Sequence, residues 1–133
     1  MKNADLDPND SGKIPTKDIV ERAFEFAVRS IRLCGKMEER PDVGRVMMSQ
    51  ILRSGTSVPS NIEEAQAAQS KADFVSKMGI ALKEARGTHL RLRLLATADV
   101  FSKKQLQPLI QEADEIKRII GAIIVSAKRG GSD

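Results

Sequence analysis

Two stretches of the chain carry core-type residues at alternating intervals of three and four, and this repeat constrains the fold more than any other feature. The first stretch has the seam Phe74, Met78, Ala81, Ala85, Thr88, Leu92 and Leu95. The second has the seam Leu106, Leu109, Ala113, Ile116, Ile120, Ile123 and Ala127. Such spacing lines one face of a helix and is typical of helices that pack side by side. The repeat therefore predicts two long helices that share a core.

A polar capping pattern precedes each of these stretches. Ser70 is followed three residues later by Asp73, and Ser102 is followed by Gln105. A serine hydroxyl at a helix N-terminus accepts a hydrogen bond from the amide three residues on, and an acid or amide side chain there favours a capping box. The two helices are therefore predicted to begin just after Ser70 and Ser102.

Two more helices are predicted upstream, with Thr16 as a cap for the first and Gly35 as its end. The apolar positions of the first are Val20, Ala23, Phe24, Ala27, Ile31 and Cys34. The second opens at Pro41 and Asp42, and its stripe is Val43, Val46, Met47, Gln50 and Ile51. Both sets keep helical spacing.

Four amphipathic helices with short connections, and no alternating strand pattern, predict an all-α, up-down-up-down four-helix bundle. The bundle is expected to span residues 16–128. Residues 1–15 have few apolar side chains and are predicted to form a flexible tail, and residues 129–133 a frayed C-terminal tail.

The stretch RSGTSVPSNIEEAQ, residues 53–66, interrupts the pattern of the second helix. Pro59 lacks an amide hydrogen, so it frees the carbonyl of Gly55 and favours a bend. We favour one long helix kinked near Pro59 over a true break at residues 55–59. Ser57, Pro59 and Asn61 are interpreted as shaping this helix, with Asn61 bonding either across the bundle or to the freed carbonyl.

The sequence offers little for catalysis or for a cofactor. His89 is the only histidine, and nothing in the pattern places it beside a nucleophile such as Ser57 or Cys34. A single cysteine and a single histidine cannot supply a metal cluster. We therefore predict a protein that is not an enzyme and has no cofactor and no metal site. With no long apolar run and one cysteine, it is expected to be cytoplasmic, away from membranes.

The basic residues are unevenly placed. Residues 71–104 hold eight basic residues against three acidic ones, an excess of five in a chain whose net charge is +4. The candidate nucleic-acid-binding residues are Lys83, Arg86, Arg91, Arg93, Lys103 and Lys104. With 3% aromatic residues and no Trp or Tyr, binding to RNA or DNA would be directed to the backbone, with little sequence specificity.

Two other interpretations stay open. The basic face can be a solvated surface, as helical charge runs often are. The last helix also carries Ile110, Ile119, Ile124 and Val125 beside its seam, so its apolar stripe is wider than a four-helix core needs. Such stripes suit a homo-oligomer, or a scaffold or adaptor that recruits a partner protein.

Several segments resemble a known bacterial family. They are residues 50–53 (QILR), 57–64 (SVPSNIEE), 73–74 (DF) and 81–85 (ALKEA), followed by Thr88 and Leu92. The match covers roughly residues 18–127 and is similar to the S23-like four-helix bundle proteins encoded in intervening sequences of bacterial 23S ribosomal RNA genes. The most specific part is the motif that contains Ser57, Pro59, Asn61, Ile62 and Glu64.

The resemblance implies a left-handed bundle assembled as a ring-like homopentamer, without known catalysis and suspected of binding nucleic acid. Related bundle proteins are accessory factors of diversity-generating retroelements. The chain departs from the family pattern at Glu63, Ala65, Gly87 and the pair Leu90–Arg91. The last two departures make the third helix more basic than the family pattern, which favours an anionic partner.

Overall fold

The structure is a computed structural model that describes residues 16–37 and 43–130. Within these ranges the chain forms four α-helices and no β-strand. The helices are α1 (Thr16–Met37), α2 (Val43–Gln66), α3 (Lys71–Thr97) and α4 (Lys103–Arg129). The predicted N-terminal tail, the predicted opening of the second helix and residues 131–133 lie outside the described residues. Arg129 still belongs to α4, one residue beyond the predicted boundary.

The helices contact one another in cyclic order. α1 packs against α2 and α4, and α3 packs against α2 and α4, whereas the described backbones of α1 and α3, and of α2 and α4, do not approach each other closely. Each helix therefore has two neighbours, and the buried residues of all four helices form one core. No described helix is long and apolar enough to cross a membrane.

The seams of α3 and α4 form the centre of this core, as predicted. Met78, Leu92, Leu106 and Ile120 are fully buried, and every other seam residue is buried except Phe74 and Ala127, which are partly exposed. The caps are also present: Ser70 Oγ accepts a hydrogen bond from the Asp73 amide at 3.1 Å. Ser102 Oγ accepts one from the Gln105 amide at 3.3 Å.

The prediction was partly wrong for α1. Phe24 and Ile31 are 56% and 52% exposed, and the buried face instead contains Ile19, Phe26 and Leu33. Ser30 interrupts the apolar pattern of this face but is tolerated there, because its hydroxyl donates to the Phe26 carbonyl at 3.0 Å. The helix also continues two residues past Gly35, the predicted end.

The apolar stripe of α2 needs a similar correction. Val43 and Val46 are each 59% exposed, and Gln50 is exposed as well, whereas Ile51 is fully buried. The first turns of α2 therefore face the core through Gly44, which is buried, and through Met47 and Met48, which pack against the core. Val43 and Val46 lie on the outer side of these turns. Cys34, as expected, is buried, and its thiol donates to the Met48 carbonyl of α2 at 3.6 Å. Burial raises the pKa of this thiol.

Residues 53–66 belong to one continuous helix, so the alternative of a break at residues 55–59 was wrong. Pro59 lies inside α2 and is buried. The amide of Asn61 donates to the Ser57 carbonyl at 2.9 Å and to the Ser57 hydroxyl at 3.0 Å, rather than across the bundle or to the Gly55 carbonyl. This bond is local because Asn61 lies one helical turn after Ser57. The kink near Pro59 stays a prediction.

Gly55 allows α1 and α2 to approach closely. A Cβ added to Gly55 would lie 3.3 Å from Ser30 Oγ and 3.5 Å from Ser30 Cβ. On the adjacent face of α2, which packs against α3, Ser54 Oγ and Thr88 Oγ1 lie 2.7 Å apart, and both residues are fully buried. The Thr88 hydroxyl also bonds the Glu84 carbonyl at 2.8 Å. The hydroxyl-rich stretch therefore fits α2 against its two neighbours.

Candidate nucleic-acid interface

An open cleft of about 540 Å³ lies between the C-terminal half of α3 and the first turns of α4. We call it the α3–α4 cleft. Its lining residues are His89, Arg93, Ala96, Thr97, Lys103, Gln107, Ile110, Gln111 and Asp114. Two apolar side chains, two glutamine amides and several charged groups therefore share one concave surface.

The cleft exists because the chain reverses tightly between α3 and α4. Asp99 adopts a left-handed backbone conformation, φ 58°, which aspartate tolerates better than most residues. The amides of Ala98 and Val100 bond the carbonyls of Leu94 and Leu95 and close the last turn of α3. As a result Arg93 and Lys103, ten residues apart in the sequence, line the same cleft.

The positive charge of the cleft is only partly offset. Arg93 is exposed, and within the described residues it has no ion pair or side-chain hydrogen bond. Lys103 Nζ lies 4.0 Å from Asp99 Oδ1, and both side chains are largely exposed, so this pair contributes little. Asp114 is the only acidic lining residue.

The charge of Asp114 is already neutralised by its own helix. Its carboxylate pairs with Lys117 Nζ at 3.2 Å and with Arg118 Nε at 2.9 Å. The hydrogen bond from Lys117, followed by that from Arg118, lowers the pKa of Asp114. The cleft therefore keeps a net positive charge that an anion can neutralise.

His89 acts as a polar group of this cleft and not as a cation. Its Nδ1 lies 3.4 Å from Lys117 Nζ, and its Nε2 lies 3.9 Å from Asp114 Oδ1. Partial burial, followed by the charge of Lys117, lowers the pKa of His89. At neutral pH the imidazole is therefore uncharged. Among the described residues its side-chain partners lie on α4, and no serine or cysteine hydrogen-bonds to it.

The structure separates the six predicted binding residues. Arg86 lies two turns before Arg93 on the same face of α3, and Lys83 lies further around the exposed surface. Arg91 lies on the opposite edge, where its Nε donates to Gln50 Oε1 of α2 at 3.3 Å. Lys104 does not line the cleft, because it is rotated about 100° around α4 from the preceding lysine.

Sequence reasoning missed Lys117, Gln107 and Gln111. Lys117 is partly buried and contacts both His89 and Asp114, and the two glutamines line the cleft. Their spacing along α4 places all three beside the α3 edge of the seam. Which of them reach the cleft depends on the register between the two helices, which the sequence pattern does not give.

The family-type motif on α2 makes structural contacts. Ile62 is fully buried, and Glu64 Oε1 pairs with Lys77 Nζ of α3 at 3.0 Å. Arg53 and Glu84 form a second, longer contact between these helices at 4.0 Å. The described residues contain no group of three or more potential ligands that could hold a metal ion.

Fold and cleft together define a small all-helical protein with an open basic cleft between two of its helices. The sequence model of the 23S rRNA-intervening sequence protein family matches residues 16–122. The chain therefore belongs to this family, as its resemblance to the S23-like proteins predicted.

A solved structure supports the same assignment. It is a protein of unknown function from the S23 ribosomal protein family of Bacteroides thetaiotaomicron VPI-5482, determined at 1.70 Å resolution. The two chains are 39% identical and superpose with a TM-score of 0.77, over 83% of this chain and 97% of the other. A comparison with curated proteins found none that matches.

Proposed function

We propose that this protein is a non-catalytic, cytoplasmic, oligomeric bundle protein that binds RNA or DNA through the α3–α4 cleft, with little sequence specificity. The observation that supports this most is that Arg93 and Lys103, from two different helices, line one open cleft whose only carboxylate is already neutralised. Arg86 extends the same face of α3 by two turns.

The chemistry of the cleft suits a phosphate backbone. Guanidinium groups bind phosphate oxygens with two parallel hydrogen bonds, and the amides of Gln107 and Gln111 can donate to phosphate or sugar oxygens. Neutral His89 adds a donor or acceptor without further charge. Because no Trp or Tyr is present, base stacking contributes little, and contacts would be sequence-independent.

Fluorescence anisotropy with labelled RNA and DNA tests the proposal. Arg93→Ala combined with Lys103→Ala should weaken binding strongly. A control variant with the same loss of charge, Lys128→Ala combined with Arg129→Ala, should bind almost as well as the parent. Its two residues lie in the last turn of α4, about 38 Å along the helix from Lys103. No binding at low salt, or equal losses in both variants, would exclude the cleft as the binding site.

A second candidate function is a scaffold or adaptor that recruits a protein through apolar helix faces. Ile80, Leu90 and Leu94 on α3 are 41%, 48% and 51% exposed, which is unusual for large aliphatic side chains on one helix. A pull-down with the parent protein and with the variant Leu90→Lys combined with Leu94→Lys tests this function. A protein that the parent captures and the variant does not supports the scaffold, and equal capture by both excludes this face.

The proposal includes the finer architecture that the family resemblance implies. It comprises an up-down-up-down, left-handed bundle, a kink near Pro59 and assembly as a homopentamer. The cyclic order of helix contacts supports the bundle topology. In a ring of identical subunits the cleft would be repeated, so a modest affinity at one site would become a high avidity for a long nucleic acid.

A further inference from the structure

A second basic cleft lies on the neighbouring side of α4, between α4 and the C-terminal half of α1. We call it the α1–α4 cleft. It has a volume of about 140 Å³ and is lined by Arg29, Arg32, Leu33, Lys36, Gln105 and Leu109. Three of these six side chains are cations and none is a carboxylate. None of the three cations belongs to the basic segment of residues 71–104.

Arg22, on the same edge of α1, is an arginine whose charge is neutralised by acidic side chains of α4. Arg22 donates to both carboxylate oxygens of Glu112 at 3.0 and 2.7 Å, and to Glu115 at 2.7 Å. Towards the C-terminus of α1 such acids are missing, because the α4 residues that face the cleft are Gln105 and Leu109.

Within the described residues, the three cations of the α1–α4 cleft have no such partners. Across the described part of the chain, no ion pair or side-chain hydrogen bond includes Arg29, Arg32 or Lys36. The helix dipole favours cations only in the last turn of α1, which contains Lys36 alone. The helix dipole therefore does not account for the unpaired charges of Arg29 and Arg32. An external anion would neutralise these charges.

The two clefts share the first turns of α4. Lys103 and Gln107 face the α3 side, and Gln105 faces the α1 side. Lys104 is exposed and lies on the outer surface between them, since successive residues turn by about 100° around a helix. Only one helix diameter, about 10 Å, separates the clefts. Basic side chains therefore connect the two clefts across the outer surface of α4.

We propose that the α1–α4 cleft is a second phosphate-binding site, and that one single strand of nucleic acid runs from the α3–α4 cleft over Lys104 into it. This inference rests on the proposed function. The clefts open on neighbouring sides of α4, so the strand must turn sharply around this helix. A duplex has a persistence length of about 50 nm and resists so tight a turn, whereas a single strand does not.

The test compares a single-stranded RNA with a duplex of the same sequence, by anisotropy over a range of salt concentrations. Arg29→Ala combined with Arg32→Ala should weaken single-strand binding and reduce the slope of log affinity against log salt by about 1.4, which corresponds to two lost phosphate contacts. Lys128→Ala combined with Arg129→Ala removes the same charge and should leave the slope unchanged. Arg29→Lys combined with Arg32→Lys should retain most of the slope, and circular dichroism verifies that each variant folds.

Each outcome separates the two proposals. Absence of binding by the parent protein overturns both. If the Arg93 and Lys103 variant loses binding while the Arg29 and Arg32 variant matches the control, the α3–α4 cleft stands and the second site is refuted. If the duplex binds as tightly as the single strand and responds equally to both cleft variants, the path around α4 is refuted.

Discussion

The buried pair of hydroxyls between α2 and α3 gives the sharpest prediction about stability. Ser54 and Thr88 are fully buried, and their hydroxyl oxygens lie 2.7 Å apart. Each hydroxyl has one hydrogen to donate. The shortest consistent set of bonds has Thr88 donating to the Glu84 carbonyl at 2.8 Å and Ser54 donating to Thr88. The other acceptor near Ser54, the Ile51 carbonyl, lies at 3.5 Å.

These distances set the expected energies. Thr88→Val keeps the shape of the side chain but leaves the Ser54 hydroxyl with only its long contact, so the free energy of unfolding should fall by about 1–3 kcal/mol. Ser54→Ala removes one bond and leaves Thr88 bonded to Glu84, so a fall of about 1 kcal/mol is expected. The double variant should lose less than the sum of the two, by about 1 kcal/mol, because no orphaned hydroxyl remains.

Urea unfolding of the parent, both single variants and the double variant measures this coupling, and Thr88→Ser serves as a control that keeps the hydroxyl. Purely additive losses would show that the two hydroxyls do not interact and would refute this account of the core.

Three further predictions concern other sites. Gly121→Ala should raise the free energy of unfolding by about 0.5–1 kcal/mol because its Cβ meets open space, whereas Gly55→Ala should lower it by about 1 kcal/mol through crowding against Ser30; urea unfolding measures both. Arg22→Ala should cost about 1–2 kcal/mol, because it breaks a partly buried set of charged hydrogen bonds to two glutamates of α4. His89 has a lowered pKa in the folded state, so the unfolded chain binds its proton more readily, and stability should fall as pH drops from 7 through about 6.5. His89→Gln should remove that part of the pH dependence, and an NMR titration of the ring proton should give a midpoint below 6.5.

Each of these has a clear contrary result. A stabilised Gly55→Ala protein would mean that α1 and α2 are not in close contact at that level. A loss below about 0.5 kcal/mol for Arg22→Ala would put its ion pairs in the class of exposed pairs. A ring-proton midpoint at or above 6.5 would remove burial as the dominant influence on His89.

The seams and caps of α3 and α4 could be predicted because one regular repeat left a single choice of buried face. α1 offered two neighbouring stripes of similar spacing. The stripe with Phe24 and Ile31 looked more apolar, but the core took the stripe with Phe26 and Ser30. Sequence patterns do not reveal that a serine can satisfy its hydroxyl on its own helix and then pack against a glycine of the next helix.

The candidate site was predictable only within one helix. The spacing of Arg86 and Arg93 placed them on one face, whereas Arg91 turned out to lie on the α2 edge beside Gln50. Which α4 residues line the cleft depends on the register between two helices, which no local pattern determines. The basic cleft residues of α1 were not predicted from the sequence either. They line a cleft only when α1 packs against α4.

Lysine footprinting tests the central claim most directly, because it locates the bound nucleic acid on the protein. The free protein and its complex with single-stranded RNA are acetylated briefly, and the modification of each lysine is measured by mass spectrometry. Lys103 in the α3–α4 cleft should become strongly protected in the complex, while Lys128 at the far end of α4 should stay as reactive as before. Equal reactivity of Lys103 with and without RNA, in a sample shown to be bound, would contradict the account.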